Sequence, residues 1–150
     1  MGVLYLWVEL STEAIRLGRE HAKKSLFADL ADYRQYIAPE TNPLPAKCAQ
    51  LVIDVQTIQH LNGDAHDAIY REVYRILQPS SRFFSVHWSG TNEAVDAIFP
   101  AHPELKEHYN HNLKAMLMAV GFEVPYLEFV IKTYPGVELG QWTIIEAVKP

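Results

Sequence analysis

Three carboxylates and two histidines occupy positions where side chains can do chemistry. Glu9 ends the apolar run Val3–Val8, and a helical stretch starts straight after it. Asp29 ends the short apolar run Leu26–Ala28. Asp54 lies inside "QLVIDV", so it needs a partner or an opening to solvent. At the C-terminal edge of a parallel sheet that opening is the ligand crevice. His60 follows this run and His87 sits late in "FFSVHW". Both approach the crevice rim, and imidazole titrates near neutral pH, as a general base should. Plainer readings stand beside these. An acid at a strand end is common, an Asp after a strand is ordinary turn chemistry, and most histidines bond to nearby backbone. His102, His108 and His111 do not read as a metal site. Only the last two have helical spacing and no cysteine joins them, so a solvated helix face is expected and no metal. Cys48, beside Lys47, has no paired histidine in sequence and reads as a bystander thiol.

The elements that must position these residues follow from patterning. Val3–Val8 is a continuous run of β-formers, as in a strand buried on both faces. Ser11 is placed to cap the next helix, whose stripe is Ala14, Ile15, Gly18 and Ala22. A short strand is expected at Leu26–Ala28, then a loop through "APETNPLPAK", with three prolines in ten residues. The run from Gln50 is another buried strand. Asp64 is expected to cap a helix with core positions Ile69, Val73, Ile76 and Leu77. "QPSSR" breaks it, and a strand starts at Phe83. Pro103 suits the first turn of a last helix, with Leu105, Tyr109, Met116, Leu117 and Val120 as its face and Gly121 as its stop. Val124–Thr133 and Trp142–Val148 are joined by "YPGVELGQ", too short for a crossover, and should pair antiparallel. The alternation of strands and helices argues for an α/β fold with a mostly parallel sheet.

Composition narrows the function. The chain has 150 residues, 49% of them hydrophobic, which suits one domain over 1–150 with a real core. The net charge is −5 and the basic residues are scattered, so nucleic acid is not an expected partner. No apolar run approaches the roughly 20 residues that span a bilayer, and no signal peptide is recognisable, so a soluble cytoplasmic protein is expected.

The pattern resembles the class I S-adenosylmethionine-dependent methyltransferases. "VELSTEAIRLGREHA" looks like the family's second strand and helix, "LFADLAD" like its third strand, and "LVIDVQTIQHL" like its fourth strand and exit. "AIYREVYRILQPSSRFF" is similar to the helix, Pro-Gly-Gly turn and fifth strand, with Ser80 and Ser81 in place of the glycines. "LKAMLMAVGFEV" resembles the last helix and sixth strand. The resemblance implies a Rossmann-like sheet and S-adenosylmethionine as cofactor. It implies that Glu9 accepts from both ribose hydroxyls, that Asp29 and the Leu30 amide meet the adenine, and that Asp54, Val55 and Gln56 lie beside the methionine part. "DVQT" lacks the Asn/Asp-Pro-Pro-aromatic motif used on amines of DNA or protein, so a small-molecule acceptor is expected, covered by residues 89–112.

The family holds the amino-acid end of the cofactor on a Gly-x-Gly loop after its first strand. None of the seven glycines here are separated by one residue. The first strand, that loop and the first helix are therefore expected to be absent, leaving a truncated, partial domain. The family's strand order is three-two-one-four-five-seven-six. The strand from Val3 is then expected to pair directly with the strand from Gln50, with a homodimer covering bare apolar surface. The enzyme reading thus stands beside a second one: a non-catalytic, methyltransferase-like fragment that acts through self-association.

Overall fold

In a computed structural model the described residues are 5–9, 11–25, 28–35, 44–61, 63–88, 113–134 and 137–150. They divide into two compact units, Met1–Pro43 and Leu44–Pro150. The expected helix start at Pro103, residues 89–112, and His102, His108 and His111 lie outside the described residues.

In the first unit, β1 (Tyr5–Glu9) pairs in parallel with β2 (Ala31–Gln35), and α1 (Thr12–Ala22) packs on both. Ser11 caps α1 as expected: its side chain accepts from the Ala14 N–H at 3.2 Å. Ile15 is the buried residue of α1. Gly18 is required by a close approach, because a Cβ there would stand 2.5 Å from Tyr33 Cε1. Of the expected strand at Leu26–Ala28, Leu26 and Phe27 lie outside the described residues, and Ala28 is not in a strand. Ala28–Leu30 is a single 3-10 turn, and the strand follows it at 31–35.

The second unit is a four-stranded sheet in the order β3-β4-β6-β5, where β3 is Ala49–Val55, β4 Leu77–Trp88, β5 Glu123–Tyr134 and β6 Val137–Val148. β3 and β4 are parallel, and β6 runs antiparallel to both its neighbours. This is the family's four-five-seven-six order, and β1-β2 is its two-three pair. The expected ladder between 4–8 and 51–55 is not among the described ladders: β1 pairs with β2, and β3 with β4.

Two helices, α2 (Gly63–Ile76) and α3 (Leu113–Val120), pack together and against this sheet. Their core joins Tyr70, Val73, Leu77, Phe83, Leu117, Phe122, Ile145 and Ala147. α2 begins at Gly63, so Asp64 falls within its first turn instead of capping it. α3 closes with a Schellman motif: Phe122 N–H donates to Leu117 O (3.1 Å) and Gly121 N–H to Met118 O (3.0 Å). Gly121 has φ 114, which the motif needs and glycine supplies without strain.

α2 ends at Ile76, and "QPSSR" lies inside β4 instead of breaking the helix: the strand starts at Leu77, which was expected on the helix, with an irregular register between Ala49 and Leu51. Ser80 takes φ 61 there, and its N–H donates to Lys149 O at 2.7 Å. An L-residue in that region costs roughly 1–2 kcal/mol, and glycine returns about 0.5–1 of it as unfolded-state entropy. Ser80 is exposed, so its side chain contributes little. Ser80→Gly should therefore stabilise the protein by about 0.5–1 kcal/mol. A higher urea midpoint at unchanged slope is the expected result; an unchanged or lower midpoint contradicts it.

Candidate functional site

Parallel strands bring their C-terminal ends to one edge of a sheet, where backbone amides and side chains open outward. Each unit has one such mouth.

In the first unit the mouth is made by Glu9 and Gln35, the last residues of β1 and β2, which are register partners. The chain passes from Glu9 through Leu10 to the Ser11 cap, so α1 presents its N-terminal amides on the same side. Asp29 and Leu30 lie in the 3-10 turn before β2, at the opposite end of that strand. The expected adenine contacts at Asp29 and Leu30 assumed that the strand precedes them; it follows them.

In the second unit the mouth is the exit of β3 beside β4. Asp54 is 7% exposed, and its carboxylate is engaged from both sides. Oδ1 accepts from the Thr57 N–H (3.1 Å) and the Ile58 N–H (3.2 Å) of the turn that follows. Oδ2 accepts from Ser85 Oγ at 2.9 Å. His87 Nε2 stands 3.1 Å from the same oxygen, at ion-pair distance, yet its ring N–H is not aligned for a hydrogen bond. That contact is electrostatic. Burial alone would push the Asp54 carboxyl up. His87, Ser85 and the Ile58 amide outweigh it and hold the group below the ordinary aspartate value.

The carboxylate expected beside the cofactor's methionine part is thus spent on its own chain. His87 is 3% exposed and faces the helix-covered side of the sheet, away from the rim expected for a base. Val55, by contrast, is 59% exposed. Gln56 is half-buried with φ 62, and its N–H donates to Val86 O at 2.9 Å. His60 closes the 3-10 turn Ile58–His60.

Sequence reasoning missed two residues behind this mouth. His66 and Tyr70, one turn apart on α2, are both wholly buried. His66 Nε2–H donates to Ile58 O (2.7 Å), which ties the turn to α2. The Tyr70 hydroxyl has no hydrogen-bond partner among the described residues. Burial, and then the Asp54 charge, push its pKa far above that of an ordinary phenol. The i, i+4 spacing was the available signal, since both side chains present an apolar body to a core. Among the described residues no cluster of three or more His, Cys, Asp or Glu side chains could hold a metal ion. No described helix is long and apolar enough to cross a membrane.

A family model described as a methyltransferase domain matches residues 2–85. No curated protein matches the chain. Solved structures do. A S-adenosylmethionine-dependent methyltransferase from Methanosarcina mazei is 17% identical with a TM-score of 0.78, over 96% of this chain and 81% of that one. A methyltransferase-like protein from Bacillus halodurans is 15% identical, TM-score 0.75, over 97% and 82%. The geranyl diphosphate C-methyltransferase of Streptomyces coelicolor, solved with Mg2+, geranyl diphosphate and S-adenosylhomocysteine, is 13% identical, TM-score 0.78, over 100% and 64%. At these identities the likeness is one of fold.

Proposed function

We infer that this chain, which belongs to the methyltransferase domain family, binds the nucleoside of S-adenosylmethionine and serves methyl transfer to a small-molecule acceptor. The observation that carries the reading is the position of Glu9, at the C-terminal end of a parallel strand and directly before a capped helix. A carboxylate there accepts both ribose hydroxyls in one plane, each bond charge-assisted. The adenine side falls to the end of β2 at Gln35, not to Asp29 or Leu30.

The residues present fit the cofactor in part. In the first unit Glu9 suits the ribose; the second unit, taken by itself, offers Val55 and the Gln56 backbone at the exit of β3. The glycine loop for the amino-acid end is not found in these 150 residues. When bound, the cofactor supplies an electrophilic methyl group on a sulfonium. The chain's own work is to orient the acceptor and take its proton. His60, at the end of the turn, is the candidate base in place of the enclosed His87.

A calorimetric titration with S-adenosylhomocysteine tests this. For these 150 residues alone, the glycine loop's several backbone hydrogen bonds would be a shortfall of roughly 4 kcal/mol or about a thousandfold. Binding no tighter than high micromolar is expected. Glu9→Gln should weaken it by about tenfold or more, since it removes the charge from two bonds. His87→Ala should weaken it less. Equal losses, or none at Glu9, contradict the assignment.

One observation favours the second reading, a non-catalytic protein that self-associates. Leu51, Ile53 and Val55 are 50%, 63% and 59% exposed on β3, an edge strand of its sheet among the described ladders. Neither lysine nor proline guards that edge. Light scattering that gives a dimer, with no response to S-adenosylhomocysteine, would favour this reading over the first; a 17.1 kDa monomer removes it.

A further inference from the structure

We propose that Asp54 is a positioning residue: its carboxylate, anchored on β4 by Ser85 and His87, sets the turn from Gln56 to His60 in the conformation that meets the cofactor. The cofactor half of this statement rests on the function proposed above; the turn half does not.

The two oxygens divide the work. Oδ1 takes two consecutive amides of the turn, Thr57 and Ile58. Oδ2 takes Ser85 and stands against His87, both on β4. One planar group therefore spans from the adjacent strand to the loop leaving its own. A second link runs beside it, from Gln56 N–H to Val86 O. Between these links Gln56 holds φ 62, a region that a non-glycine residue keeps only when its surroundings over-determine it. Here they do so from three directions: the carboxylate, the β4 carbonyl, and the core, where Ile58 is 3% exposed and bonded through its carbonyl to His66. A turn needing only a cap would be served by a neutral serine or asparagine. A buried carboxylate with a histidine opposite is a more demanding device, because removing either partner leaves the other charge or dipole uncompensated. Its effect is to fix an exposed strand exit, Val55–Gln56, with the rigidity of the core behind it.

The test compares wild type, Asp54→Asn and Ser85→Ala by amide hydrogen exchange, then titrates each with S-adenosylhomocysteine. Asp54→Asn keeps an oxygen for Thr57 and Ile58 but loses the charge that Ser85 and His87 support. The Gln56, Thr57 and Ile58 amides should exchange about 10–100-fold faster in Asp54→Asn and less so in Ser85→Ala. Core amides such as Ile145 and Ala147 should keep wild-type protection. S-adenosylhomocysteine should bind about tenfold more weakly to Asp54→Asn. Should that variant not fold, Ser85→Ala alone decides by the same amides. Unchanged turn amides, or acceleration spread evenly through the core, overturns the positioning role. Loosened turn amides with wild-type affinity overturn its connection to the cofactor. If wild type itself does not bind but the turn amides respond, the proposed function fails while the hold on the turn stands.

Discussion

Asp54→Ala should destabilise the second unit by about 3–5 kcal/mol at neutral pH, the loss seen when one member of a buried pair is removed. The substitution leaves two turn amides and the Ser85 hydroxyl without their acceptor, and the His87 ring without the carboxylate it faces, at a position 7% exposed. The loss depends on pH, and its sign follows from the depressed folded-state carboxyl. A group held below its unfolded value stabilises the fold above that value, here about pH 4. The stabilisation disappears as pH falls through the lower, folded-state value. The gap between wild type and Asp54→Ala should therefore be widest above about pH 4 and close below it. Urea denaturation at a series of pH values reads this directly. A gap independent of pH would mean that Asp54 is not ionised in the folded protein.

That arrangement also marks where sequence stops being informative. The need for a partner at Asp54 was legible, since a carboxylate in "QLVIDV" cannot stay buried alone. The identity of the partner was not. Ser85 and His87 are more than thirty positions away, and only the register that sets Asp54 opposite Ser85 brings them together. His87 was legible as a late strand residue, but its face was not, because a one-residue change of register would have turned it the other way. Periodicity did find α1, α2, β3 and the antiparallel pair at the end, where apolar spacing is dense. It misplaced β2. Leu26 to Ala28 is apolar and drew the strand assignment, whereas Ala31–Gln35 is polar and half-buried in a two-stranded sheet. A strand of that kind needs no apolar run, so its position comes from pairing with β1. The adenine expectation at Asp29 rested on that strand.

A loss of the same size should follow from Phe83→Ala, and its neighbour provides the control. Phe83 is wholly buried on β4, between register partners Val52 and Ala147. Its ring packs with Tyr70 at 6.1 Å and with Phe122 at 6.2 Å between centroids. Truncation leaves a cavity walled by residues from α2, β3 and β6 and by Phe122 ahead of β5, which paired strands cannot close. About 3–5 kcal/mol should be lost. Phe84 differs only in facing the other side of the sheet, where it is half-buried and shares its face with the exposed Ile53. Phe84→Ala should cost about 1–2 kcal/mol, in proportion to the smaller area withdrawn from water. The ratio matters more than either value, because both variants remove the same atoms from the same strand. Thermal or urea unfolding of the two proteins gives it. Equal losses would show that the face carrying Leu51, Ile53, Val55 and Phe84 is covered in solution, and would count in favour of self-association there.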